Sequence, residues 1–146
     1  MWYLSCIDWE QTKDGFRHNY HLKMASSIDG IDWRRDGQVA IDFRYKDEYA
    51  ISVPRVIREG KIYRMWYSYR GGPIGPNYAI GYAESPNGTD WKRKDEDLRL
   101  VPSARNDWDS EMICYPYIFN HSGKLHMLYN GNGYGKSGFG LAVLHD

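Results

Sequence analysis

A ten-residue phrase occurs twice in this chain. "SSIDGIDWRR" runs from Ser26 to Arg35 and "ESPNGTDWKR" from Glu84 to Arg93, with Gly30 and Gly88, and likewise Trp33 and Trp91, 58 residues apart. Other phrases keep a similar period. "MWYLS" at Met1, "MWYSY" at Met65 and "MLYNG" at Met127 are spaced by 64 and 62 residues. "SVPRVIREGKIYRMWY" from Ser52 returns as "CYPYIFNHSGKLHMLY" from Cys114, with Pro54 and Pro116 62 residues apart. A repeat of this length carries one supersecondary unit, which buries its apolar face only by stacking on its neighbours.

The central copy shows what the unit contains. "YAISVPRVI" (Tyr49 to Ile57) is apolar and β-branched, and "REG" turns the chain into "KIYRMWYSY". After the Gly/Pro-rich "RGGPIGPN" comes a third strand, "YAIGYAES"; "PNG" then turns into the more polar "TDWKRK". Four hairpin-linked strands make an up-and-down antiparallel sheet. No stretch of a dozen residues carries an amphipathic helical period. The expected fold is therefore all-β, with β-propeller-type blades of four strands. Asp29-Gly30 and Asn87-Gly88 are the residues a tight turn needs, because both types tolerate positive φ. Asp32 and Asp90 are positioned to bond turn amides, with Trp33 and Trp91 covering the blade edge; sugar stacking is the lesser reading for these tryptophans.

The blades do not come out whole. Blade 1 (about 1–46) lacks its innermost strand, blade 2 (about 47–102) is complete, and blade 3 (about 103–146) lacks its outermost strand, giving about ten strands. The strands of the first copy are expected at Met1, near His21 to Ser27, and after Trp33, with "CIDWEQTKDGFRHN" read as a long loop. An open arc exposes apolar faces and unpaired edges. Either the polypeptide is a piece of a longer propeller or two chains close the ring; the preferred expectation is a homodimer of about six partial blades.

Charge narrows the partners. Nineteen Lys and Arg balance nineteen Asp and Glu, so no basic footprint points to nucleic acid or an anionic membrane surface. No segment is long and apolar enough to span a bilayer, the N-terminus lacks the basic and apolar regions of a signal peptide, and two cysteines are too few for a disulfide scaffold. The expected compartment is the cytoplasm. The five histidines show no ligand spacing, so neither a metal nor a cofactor is expected. Aromatic residues make up 16% of the chain; they suit both strands and half-wet binding surfaces.

The phrases "SVPRVIREGKIYRMWYSY", "YAIGYAESPNGTDWKR" and "MICYPYIFNHSGKLHMLYNGNGYGKSGFGLAV" resemble the blades of the five-bladed propeller glycosidases of glycoside hydrolase families 43, 32, 68 and 130. The likeness runs over nearly the whole chain and is nearest to uncharacterised members of that superfamily. It implies a site at one end of the central channel, with carboxylates on the innermost strands of different blades acting as acid, as base or nucleophile, and as modulator. The first copy has no innermost strand, so the family's first-blade Asp has no counterpart here.

Glycoside hydrolysis uses two carboxyl groups, roughly 5–5.5 Å apart for retention and roughly 6.5–9.5 Å for inversion. The acids nearest the inner strands are Asp47, Glu48, Asp109 and Glu111, with Glu111 the first choice as general acid; solvated loop acids or turn caps are the plainer reading. Arg55 follows Pro54 on an inner strand, and Tyr117 holds the matching place in the third copy. Arg55, Tyr117 and Tyr115 are candidates for holding sugar hydroxyls or a carboxylate, against a structural ion pair for Arg55. "YNGNGYGKSG" lacks the spacing of a phosphate-binding loop. Its Asn130, Asn132 and Tyr134 are candidate sugar ligands, as are Tyr69 in the counterpart loop with Arg70, and Trp9 in the first-copy loop with Asp8, Glu10 and His18. The expected partner is a carbohydrate or related small polar ligand, bound and, if the acids converge, hydrolysed; the alternatives are a non-catalytic carbohydrate-binding protein and a structural docking protein.

Overall fold

Alternating apolar residues and turn signals give ten strands: β1 Trp2–Thr12, β2 Gly15–Met24, β3 Val39–Ile41, β4 Ala50–Glu59, β5 Ile62–Arg70, β6 Ala79–Ser85, β7 Lys92–Arg93, β8 Cys114–His121, β9 Lys124–Asn130 and β10 Phe139–Val143. The computed structural model describes residues 1–104 and 106–145. Strands β1–β3 lie in the first copy, β4–β7 in the second and β8–β10 in the third. Neighbours within a copy pair antiparallel. The first two copies touch through one parallel pairing, Tyr20 with Ala50, which makes them a single seven-stranded sheet beside a three-stranded one. The architecture is a partial β-propeller.

Two elements differ from expectation. The segment read as a long first-copy loop is instead the far end of the β1–β2 hairpin, paired as far as Thr12 with Gly15. The strand alternation simply continues through its polar residues. The polar strand after Trp91 is only two residues long. Beyond it Asp95 Oδ1 accepts the Tyr82 N–H at 3.0 Å, replacing a strand carbonyl in the ladder.

The core follows the two-residue side-chain period of β5. Met65, Tyr67 and Tyr69 face one way and pack with Leu22, Ile41 and Ile51 between the first two copies. Trp66 faces the other way and packs with Ile80, Tyr82, Ile113, Met127 and Tyr129 between the second and third. Fully burying one such aliphatic side chain contributes roughly 1.5–3 kcal/mol, so these two layers dominate the stability of the arc. No helix among the described residues is long and apolar enough to cross a membrane.

The repeated phrase is one turn built twice. In the first copy Asp29 Oδ1 accepts the N–H groups of Ile31 and Asp32 at 2.9 Å each, Ser27 Oγ accepts Gly30 N–H at 2.8 Å, and Trp33 Nε1 donates to Gly30 O at 3.1 Å. In the second, Asn87 Oδ1 accepts Thr89 and Asp90, Ser85 Oγ accepts Gly88, and Trp91 Nε1 donates to Gly88 O at 3.0 Å. Gly30 and Gly88 sit at φ 76° and 79°, where a Cβ is disfavoured. Trp2 of the preceding copy donates to the same Gly88 carbonyl and packs edge-on against Trp91 at 5.6 Å.

Candidate functional site

The inner strands β4 and β8 each contain an X-Pro pair, Val53-Pro54 and Tyr115-Pro116. Proline has no N–H to donate to a ladder. In both strands the register jumps across the pair, from Ser52 to Arg55 and from Cys114 to Tyr117. Val53 and Tyr115 stand at φ 50° and 56°, a left-handed region costly for branched and aromatic residues. Bulges of this kind re-aim a side chain and recur beside functional sites. Tyr115 N–H turns away from β9 and donates to Ser68 Oγ on β5 at 2.8 Å.

The re-aimed Tyr115 ring joins a cluster drawn from all three copies. Its centroid lies 5.6 Å from that of Tyr78 and 6.1 Å from that of Tyr134, which it stacks at 25°. Tyr134 is itself at φ 62°, so two tyrosines of one cluster are held in a strained backbone. The hydroxyls of Tyr78 and Tyr20 meet at 2.5 Å. His18 stacks on Tyr20 at 4.8 Å, and Trp9 meets His18 edge-on at 5.4 Å. Arg70, at the end of β5, places its guanidinium carbon 4.8 Å from the Tyr78 ring and 5.4 Å from Tyr49. Burial pushes the Tyr115 phenol up to about 12 and the neighbouring Cys114 thiol up to about 11; both are neutral at physiological pH.

Each candidate side chain has a definite place. Arg55 and Tyr117 do meet, with the guanidinium 5.4 Å over the ring, on an exposed face of the inner strands. Tyr115, Tyr134 and Trp9 belong to the cluster. Tyr69 does not: it is buried in the first core layer, because the side-chain period of β5 sends Arg70 to the cluster and Tyr69 to the opposite face. Asn132 is consumed by its own loop. Its Oδ1 accepts the N–H groups of Glu111 and Met112, and its Nδ2 donates to Asp107 O. Asn130 Nδ2 donates to Tyr134 O at 3.3 Å and holds the Tyr134 loop.

The four candidate acids divide. Glu48 is buried and takes both terminal nitrogens of Arg93, at 2.7 and 2.9 Å, plus the Arg44 N–H. Arg93 also donates to Asp95, which accepts the Tyr67 hydroxyl at 2.5 Å. The Glu48 carboxylate is therefore committed to tying the second copy together. Asp109 is buried, with Oδ2 accepting the Tyr129 hydroxyl at 3.2 Å and Oδ1 without a hydrogen-bond partner among the described residues. Asp47 and Glu111 are exposed on loops, and neither carboxylate bonds a described residue. In the first copy Glu10 is ion-paired with Arg17, and Asp8 accepts the Trp9 N–H at 2.7 Å. No group of three His, Cys, Asp or Glu among the described residues has the geometry of a metal site.

Tyr20, Tyr49 and Tyr78 escaped the sequence reading. Each lies in or beside a strand whose aromatic pattern reads as core. The available signal was the count of thirteen tyrosines, more than the blade interiors need.

No protein-family model matches the chain. Uncharacterized protein Rv1502 of Mycobacterium tuberculosis (strain H37Rv), and uncharacterized protein MT1551 of strain CDC 1551, are each 40% identical over 148 residues. The alignment covers all of this chain and 46% of either relative, so the chain spans about half their length. Similar solved structures include a glycoside hydrolase (TM-score 0.68, 17% identity, 97% of this chain and 39% of that one). A family 117 glycoside hydrolase of the marine bacterium Zobellia galactanivorans superposes with TM-score 0.70 at 20% identity, over 87% of this chain and 39% of that one. The GH32 β-fructofuranosidase of Bombyx mori gives 0.63 at 15%, over 97% and 30%. Glycoside hydrolase propellers share this fold.

Proposed function

We propose that this chain is a glycosidase-like propeller protein that binds a carbohydrate or related small polar ligand at the aromatic cluster. The observation that carries this reading is the convergence of Tyr20, Tyr115 and Tyr134 on Tyr78, with Arg70 against Tyr78 and Tyr49 and with Tyr115 and Tyr134 both at positive φ. Backbone strain held beside a cluster of polar aromatic side chains is a signature of a site. Tyrosine offers an apolar ring face and a hydroxyl on one rigid side chain, which suits a polyol. Of the candidate acids, Glu48 and Asp109 are engaged elsewhere, so binding is better supported than hydrolysis; Asp47 and Glu111 are the carboxylates left free for chemistry.

The same reading includes pairing of two copies. The outer edges β1 and β10 carry exposed Leu4, Ile7, Phe139 and Leu141, the exposed-edge pattern that favours association. The two cysteines are free thiols, which fits a reducing compartment such as the cytoplasm.

Saturation-transfer NMR with a panel of methyl glycosides tests the binding reading. Transfer to sugar protons that disappears in Tyr134→Gly is expected. Glycine suits φ 62° and removes only the ring. Equal transfer in the variant places the ligand elsewhere.

A further inference from the structure

Four arginines among the described residues are half-buried: Arg17, Arg64, Arg70 and Arg93. Three of them hold a carboxylate. Arg17 pairs with Glu10, Arg64 with Glu59 at 2.6 Å, and Arg93 with Glu48 and Asp95. Arg70 pairs with none of the described residues; it alone of the four has its charge answered only by tyrosines and one backbone carbonyl. Partial burial of an unanswered cation is costly, so such a group is normally kept for a partner.

The orientation of Arg70 is specific. Its Nε donates to Pro76 O at 2.7 Å, which fixes the guanidinium plane and leaves the terminal nitrogens without an acid. Tyr78 and Tyr49 flank the group. Among the other charged groups, Arg17 places its guanidinium carbon 4.4 Å from the Tyr49 ring and is paired with Glu10, while the exposed Asp47 and Glu111 lie in loops at the margin of the cluster.

We infer that the ligand of the cluster is an anionic sugar, and specifically one bearing a carboxylate, with Arg70 as its receptor. A guanidinium with a free edge matches the two coplanar oxygens of a carboxylate and forms paired, charge-assisted hydrogen bonds. The exposed Tyr134 and the half-buried Tyr49 and Tyr115 supply ring faces for the sugar and hydroxyls for its alcohols, over a floor of the buried Tyr20 and Tyr78. The proposal rests on the sugar-binding reading and adds the chemical class of the sugar.

Isothermal titration of the full chain with matched methyl glycosides tests it, using the uronate, the neutral hexoside and the hexoside 6-phosphate in the gluco, galacto and manno series. The expected result is at least about tenfold tighter binding of one uronate than of its neutral counterpart. In Arg70→Gln the ratio of uronate to neutral-sugar affinity is expected to fall to about one, with Arg70→Lys between that variant and the wild type. Equal affinity for uronate and neutral sugar in the wild type overturns the inference and leaves the sugar site standing. Tighter binding of the phosphate than of the carboxylate overturns the assigned class. Absence of binding by every sugar overturns both this inference and the reading beneath it. Should Arg70→Gln fail to give a cooperative melt, the wild-type comparison alone decides.

Discussion

Asp29 and Asn87 do the same work in two copies of one turn, and only Asp29 is charged. Hydrogen bonds from the Ile31 and Asp32 N–H groups hold its carboxyl well below the ordinary value of 3.8, at about 2. A depressed carboxyl stabilises the fold above its unfolded value and loses that contribution as pH falls through its folded one. The first-copy turn should therefore weaken between pH 3.8 and about 2. Asp29→Asn gives the turn the chemistry of Asn87. The expected outcome is an unchanged melting temperature at neutral pH and a smaller loss on acidification, read by circular dichroism melts across that range. A larger acid loss in the variant contradicts the assignment. Residue-level reading of the sequence succeeded where the period supplied a comparison. The turn followed from two copies, and Arg55 was matched with Tyr117, which it meets. Tyr69 and Arg70 read together as loop residues, whereas β5 runs on to Arg70 and its side-chain period buries Tyr69 in the first core layer. Tyr20, Tyr49 and Tyr78 were illegible for a different reason: they converge from distant segments, and no spacing encodes that.

At the scale of elements, the repeat explains what is open as well as what is closed. Trp2 on β1 seats against the turn of the following copy at Gly88 and Trp91. Its equivalent on β5, Trp66, instead lines a cavity of about 280 Å³ with Leu98, Leu125, Met127 and Leu144. At the opposite end, the first-copy turn leaves Ile28 and Ile31 exposed and Trp33 40% exposed. One end thus presents a turn with its tryptophan uncovered, and the other a cavity beside the tryptophan that such a turn would meet. If two copies close on each other through these ends, light scattering should give twice the 17.1 kDa chain mass, and Trp33→Glu should return the monomer. A monomeric wild type rules out that closure. The strand count was legible because turns punctuate the chain. The extension of the β1–β2 hairpin was not, since it is exposed on both faces, with its few apolar residues, Ile7, Trp9 and Phe16, spaced among charged ones and none of them buried.

For the molecule as a whole, the two core layers fix the relative positions of the copies, and the buried Arg93–Glu48–Asp95–Tyr67 network ties the second copy together. Breaking a buried ion pair typically costs about 3–5 kcal/mol, so this network holds the strands of the second copy in place. Fold and site are linked through the X-Pro bulges. The same proline that interrupts pairing in β8 turns Tyr115 towards Tyr78 and Tyr134. The resemblance to glycosidase propellers implies a site at one end of the central channel; of the acids near the inner strands, Glu48 and Asp109 bond Arg93 and Tyr129 instead. The central claim is that the tyrosine–arginine cluster is where a ligand sits. A crystal of the protein soaked with the tightest-binding sugar of the panel tests it most directly. Sugar density in contact with Tyr115, Tyr134 and Arg70, over the buried Tyr78, is the expected result. Density in the apolar cavity beside Trp66, with the tyrosine cluster empty, would contradict it.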